Sequence, residues 1–356
     1  MMGSRTTIAI PGLVRIKGGV LEKLGIYCSR SGFRTVVVVA GSDIPAGIVA
    51  SARKSLEAAD VQVAQWFSTA EASFEQAQGI FVSLPGDVSA VIGLGGGRAL
   101  DVAKYVAFLA RLPDIAVPTS LSNDGFCSPG ASLTVGGFKR SLPAAIPFGV
   151  IIDTDLCLAA PKQLWLSGVG DLAAKLTAVR DWKLAFHAVG EPVNDFAALL
   201  SDAAVFQFIS RPVRDREGAR LLGTSLMLNG IAMEVCNSSR PASGSEHLIS
   251  HALDRISARP RLHGLQVGVA AYIVSRLQGG QTNTIRSLFE ACGFWDAIRT
   301  DPFSMPEWLE AVRQAPTIKK GFYTVLSSRD CLDEVRSMLE SDPALSGCFT
   351  HEPAPL

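Results

Sequence analysis

Short β-branched runs, each followed by a stretch with apolar positions at helical spacing, fill the first 150 residues. Thr35–Ala40 reads TVVVVA, the continuous apolar run a strand needs when both its faces are covered in a parallel sheet. Val61–Phe67, Ala90–Leu94 and Ile115–Val117 repeat the theme, with helical patterns at Ala46–Ala59 and Arg98–Arg111 between them. Strand and helix in alternation predict a doubly wound α/β sheet. Ser132–Val135 followed by Gly136 and Gly137 predicts a hairpin excursion before the strand Gly149–Asp153 completes the sheet. From Pro161 onward β-rich runs almost vanish, and Leu, Ala, Arg and Glu at helical spacing replace them. Leu172, Leu176 and Val179 share one helical face, and Val205, Phe206 and Ile209 begin another. The pattern predicts an α/β domain over residues 1–158 and an all-α domain over residues 159–356.

Composition narrows the class. Hydrophobic residues make up 48% and charged residues 19%, which excludes a disordered or coiled-coil chain. Lys and Arg together number 33, as do Asp and Glu. The basic excess expected of a nucleic-acid or anionic-membrane binder is therefore missing. The seven cysteines are scattered without a CxxC pair, which predicts free thiols in a reducing, cytoplasmic setting. The opening MMGSRTTIAIPGLVRI lacks a signal peptide's apolar run, and no stretch reaches the ~20 apolar residues of a membrane span.

Three segments carry candidate chemistry. Ala90–Lys104 reads AVIGLGGGRALDVAK, an apolar strand, three glycines and a helix. Glycines at such a turn let backbone N–H groups approach a phosphate. The usual dinucleotide fingerprint is broken by Arg98, and no P-loop Lys-Ser/Thr follows. The residues alone fit either a phosphate cradle or a plain strand-to-helix turn. Val117–Ala131 (VPTSLSNDGFCSPGA) is a long polar loop after a strand, fitting either a ligand-binding edge or ordinary turn chemistry. Three of only five histidines, His247, His251 and His263, fall within 17 residues, the first two at i, i+4 on one helix face. Such a cluster suits a divalent transition metal. HExxH is absent, since Leu248 follows His247. Asp171, after Gly170, reads on its own as a helix N-cap.

These segments together resemble one family. GGGRALDVAK is similar to the GGG-x3-D-x-AK signature of the iron-containing alcohol dehydrogenase and dehydroquinate synthase superfamily. VPTSLSNDG, GVGDLAAKLTAVRDW, SGSEHLISHALD, LHGLQVGV and TIKKGFYTVLS resemble, in order, segments of its glycerol-1-phosphate dehydrogenase branch, covering about residues 8 to 340. The resemblance implies a dinucleotide-binding α/β domain and a helical metal domain. It implies NAD or NADP held by Gly95, Gly96, Gly97, Asp101, Lys104, Thr119, Ser122 and Ser128, and one divalent metal on Asp171, His247 and His263. Zinc comes first for that metal, with iron or nickel fitting the same donors. Asp124 and Asp171 would meet substrate, and His251 would relay a proton or orient groups beside the metal. Lys175 and Trp182 belong to the motif without a derived role. Archaeal members commonly carry His where this chain has Asn123.

The implied reaction is reduction of dihydroxyacetone phosphate to sn-glycerol 1-phosphate by a homo-oligomeric enzyme. Alternatives are a dehydrogenase of another polyol or (amino)cyclitol, and a dehydroquinate-synthase-like cyclase. The substrate phosphate has four candidate partners, Lys139, Arg140, Lys319 and Lys320. Asp43 follows the TVVVVA strand too late to be a clear NAD-selective acid.

Overall fold

A computed structural model describes residues 8–351. Part of the opening segment read above for a signal peptide, residues 1–7, lies outside the described residues. The chain divides into two compact units. One comprises residues 1–160 with 233–237, and the other residues 161–232 with 238–356.

The first unit is built on eight strands, β1 (Leu13–Lys17), β2 (Thr35–Gly41), β3 (Gln62–Thr69), β4 (Ala90–Gly95), β5 (Asp114–Pro118), β6 (Gly130–Val135), β7 (Phe138–Pro143) and β8 (Gly149–Asp153). Helices α1 (Leu24–Arg30), α2 (Ala46–Glu57), α3 (Phe74–Val82), α4 (Gly97–Ala110) and α5 (Thr154–Ala159) alternate with them. Six strands form one parallel sheet in the order β1-β8-β5-β4-β2-β3. The other two, β6 and β7, form the separate antiparallel hairpin expected around Gly136 and Gly137. Strands β2, β4, β5 and β8 are buried along their whole length, as their unbroken apolar runs predict. Two expectations need correction. The strand β3 is only partly buried, because it is the sheet's edge and has one neighbour. An additional strand, β1, lies at the other edge and pairs in parallel with β8.

The second unit is helical. Its helices are α6 (Lys162–Ala173), α7 (Lys175–Val189), α8 (Asp195–Ile209), α9 (Arg216–Cys236, whose last turn groups with the first unit), α10 (Ser245–Ile256), α11 (His263–Leu277), α12 (Thr282–Cys292), α13 (Phe294–Thr300), α14 (Met305–Ile318), α15 (Val325–Ser328) and α16 (Leu332–Ser341). The only strands among its described residues are a two-residue pair, β9 (Phe303–Ser304) and β10 (Phe349–Thr350). Leu172, Leu176, Val179 and Val205 are buried, whereas Phe206 faces solvent.

Helices α6 and α11 approach backbone to backbone. A Cβ placed on Gly170 would lie 2.0 Å from the Gly264 carbonyl oxygen, and one on Gly264 would lie 1.8 Å from that of Ser167. Neither position has room for any side chain. This contact explains why Asp171 does not cap a helix as its sequence setting predicts. Gly170 is needed inside α6 to meet α11, so the helix runs through it. Asp171 sits in the last turn, and Ala174 stays helical (φ −58°, ψ −24°) as the chain passes into α7. Among the described residues no helix is long and apolar enough to cross a membrane.

Candidate active site

In the first unit the glycine turn joins β4 to α4. Gly95 has φ +147°, a conformation that favours glycine, and a Cβ there would crowd Ala99 at 3.1 Å and the Gly41 nitrogen at 3.2 Å. Gly96 occupies the N-cap of α4 without a side-chain cap. A Cβ on Gly96 would meet nothing within 4 Å, and one on Gly97 only the Asn123 amide at 3.9 Å. The helix thus begins in open space at the carboxyl end of a parallel strand, with its amide dipoles aimed outward. That cradle fits a dinucleotide pyrophosphate.

The polar loop is tied to this turn from its first residue. The Thr119 N–H donates to the Gly95 carbonyl at 3.0 Å. Ser122, Asp124 and Ser128 are half-buried, and Asn123 accepts a bond from the Gly125 N–H at 2.9 Å. Lys104 is not the solvated helix residue its sequence setting allows. It is 1% exposed, and its ammonium donates to the carbonyls of Gly125 and Gly130 (3.0 Å for the latter) and to Ser128 Oγ at 3.3 Å. Its charge anchors the loop from beneath. Asp101 lies 3.9 Å from that ammonium. Burial lifts its pKa to about 6, with Lys104 offsetting part of the rise.

In the second unit three helices bring three donors together. Asp171 comes from the end of α6, His247 from the first turn of α10, and His263 is the first residue of α11. Their ligand atoms all lie within 4.8 Å of one another. Asp171 Oδ1 is 3.4 Å from His247 Nε2 and 3.9 Å from His263 Nε2. Donors around a tetrahedral ion with bonds near 2.0–2.1 Å stand roughly 3.3 Å apart, so slight contraction would close the set on a divalent metal.

The remaining ring nitrogens are already engaged. His247 Nδ1 is 2.9 Å from Glu246 Oε1, and His263 Nδ1 is 3.2 Å from Ser250 Oγ. Both imidazoles therefore turn Nε2 toward Asp171, which is how a metal-binding histidine is held. Glu246 is itself fully buried, taking bonds from the Gly244 N–H at 2.5 Å and Thr177 Oγ1 at 2.9 Å. Gln266 donates to Ser250 Oγ at 2.9 Å, fixing the partner of His263.

Lys175 lies one turn beyond Asp171 with no exposed surface, donating to Asp171 Oδ1 and to the Ala242 carbonyl, both at 3.2 Å. Burial alone would raise the Asp171 pKa. The Lys175 ammonium and the two imidazoles more than offset it and hold the carboxyl well below the usual range. His251 stands apart from the trio. It is exposed, its ring nearly parallel to His263 with centroids 5.9 Å apart.

Residues 15–161 match the family model for iron-containing alcohol dehydrogenases. The chain is 37% identical over 338 residues to the glycerol-1-phosphate dehydrogenase (NAD(P)+) of Methanothermobacter thermautotrophicus, covering 93% of this chain and 96% of that one. Its Aeropyrum pernix counterpart is 36% identical over 343 residues, with coverage of 93% and 96%. The chain belongs to the glycerol-1-phosphate dehydrogenase family. Solved structures carry the same fold at low identity. Glycerol dehydrogenase from Schizosaccharomyces pombe superposes with a TM-score of 0.76 at 18% identity, covering 99% of this chain and 96% of that one. A probable glycerol dehydrogenase from Sinorhizobium meliloti gives 0.74 at 16%, with coverage of 94% and 99%.

In this family member the residues that act behind the donors carry little signal in the sequence. Glu246, Ser250, Gln266 and Lys175 all sit at ordinary helical positions. A charged Glu directly before a candidate ligand histidine was the one available signal. Trp182 has a structural task, its indole N–H donating to the Pro192 carbonyl at 3.1 Å.

Proposed function

We propose that this chain is a cytoplasmic, metal-dependent NAD(P)H oxidoreductase that reduces dihydroxyacetone phosphate to sn-glycerol 1-phosphate. The observation that carries this reading is the convergence of Asp171, His247 and His263 with both imidazoles fixed Nε2-inward, in a member of a family named for that activity. A divalent ion on these donors would supply Lewis acidity to a carbonyl oxygen, and a reduced nicotinamide would supply the hydride.

The chain's own residues do the placing. Gly95, Gly96 and Gly97 leave room for the pyrophosphate at the start of α4. Thr119, Ser122 and Ser128 line the loop above it, and Lys104, with Asp101 3.9 Å from its ammonium, holds that loop in shape. Asp124 meets substrate hydroxyls. His251, exposed beside His263, passes a proton between solvent and the reduced oxygen. A boundary at residue 158 divides cofactor from metal duties.

The test is oxidation of NADH and NADPH by zinc-loaded protein with dihydroxyacetone phosphate, with and without a chelator. Chelator-sensitive turnover is expected, and the two cofactors in parallel give the preference. Bound metal and cofactor without turnover would overturn the substrate. Activity on another polyol or cyclitol would then put Asn123, beside Gly97, first among the residues to exchange.

A further inference from the structure

We propose that the turn at residues 238–242, together with Lys319 at the end of α14, forms a binding corner for the substrate's phosphate. The inference rests on the reading of a phosphorylated triose as substrate, and it gives that phosphate a place. In such a triose the phosphorus is three bonds from the carbonyl carbon. Its anion site must therefore lie in the wall of the metal-ligand cluster.

The turn is tied to that cluster through the buried Lys175. It closes through a bond from the Ala242 N–H to the Ser239 carbonyl at 3.0 Å. The Ala242 carbonyl in turn takes a bond from Lys175, whose ammonium also touches Asp171. One side of the turn is thus joined to the metal donors through a single ammonium. On the other side, Lys319 Nζ donates to Ser239 Oγ at 2.9 Å. The serine oxygen accepts there, which leaves its own proton to donate.

Charge at this corner is unbalanced. Arg240 is 1% exposed, and its guanidinium grips Glu191 through Nε (2.7 Å) and Nη2, while Nη1 donates to the Tyr323 carbonyl at 2.8 Å. Arg240 also lies 3.7 Å over the Phe322 ring, and Lys319 Nζ lies 4.0 Å from the same ring. Two cations thus share one aromatic ring and one carboxylate, which the guanidinium fork already occupies. Lys319 is left with a neutral hydroxyl and a ring face. Although the residue as a whole stays exposed, burial around its ammonium, and then Arg240, lower its pKa, with Glu191 offsetting part. A tetrahedral oxyanion would take the ammonium and the Ser239 hydroxyl as donors, with the Arg240 charge behind them.

The experiment has two arms on the full-length protein. In the first, Lys319 acylation by acetic anhydride is followed by mass spectrometry with and without inorganic phosphate, exposed Lys54 serving as reference. Phosphate is expected to protect Lys319 selectively, and equal labelling would overturn the corner. In the second, Lys319→Met and Lys319→Arg are compared in zinc-loaded enzyme. Lys319→Met is expected to lower the ratio of kcat/KM for dihydroxyacetone phosphate over dihydroxyacetone by roughly 10- to 100-fold, with Lys319→Arg recovering most of it. An unchanged ratio would overturn the proposal. Wild-type protein inert toward dihydroxyacetone phosphate would instead overturn the substrate reading, and the acylation arm would still decide the corner.

Discussion

Lys175 and Asp171, one helical turn apart and both without exposed surface, form a 3.2 Å ion pair where α6 passes into α7. A buried carboxylate deprived of its partner is strongly destabilising. Lys175→Met is expected to cost the metal-free protein about 3–5 kcal/mol in urea unfolding. Saturating zinc should recover much of that loss, because a divalent ion would compensate the same carboxylate. Equal losses with and without zinc would separate Lys175 from the metal site.

Glu246 holds His247 through Nδ1 from a fully buried position. Replacing it with Gln keeps the shape and removes the charge. Zinc affinity, measured by chelator competition, should fall about 10- to 100-fold. The visible spectrum of the Co²⁺-loaded variant should shift as well, which a purely structural role for Glu246 would not produce.

Lys104 is expected to matter for the loop above it more than for the helix that carries it. Lys104→Met leaves the Gly125 and Gly130 carbonyls without their shared donor. Hydrogen exchange across residues 119–131 should accelerate, and global stability should drop by on the order of 2–4 kcal/mol. Unaltered exchange in that loop would refute the anchoring role.

Asp114, buried at the start of β5, has its pKa raised to about 7, chiefly by burial, with Lys104 offsetting and Asp101 adding. The folded state therefore holds this proton more tightly than the unfolded chain does. The contribution to stability is fully present below about pH 4 and is lost as pH rises toward 7. Asp114→Asn should flatten that slope and raise stability at pH 8 by on the order of 1–3 kcal/mol, read from Tm against pH.

Much of the first unit is legible because its inner strands are covered on both faces and so must be apolar throughout, as Val36–Val39 are. LVRIK carries little strand signal because it is short and alternating, and it becomes a strand only by pairing with β8, far away in the chain. The histidine cluster is visible from spacing in a histidine-poor chain. The third donor, Asp171, is not, since its place in the last turn of α6 follows from helix packing. Lys104 and Lys175 were opaque for a different reason. Both spend charge on backbone carbonyls, of Gly125, Gly130 and Ala242, and every residue owns a carbonyl.

Gly170 and Gly264 are the immediate neighbours of Asp171 and His263. The distance between that carboxylate and that imidazole is thus gauged by main chain resting on main chain. Such a spacer has no rotamers and no slack. A single methyl group at either glycine would wedge the two helices and part the donors, while leaving every donor in place in the sequence.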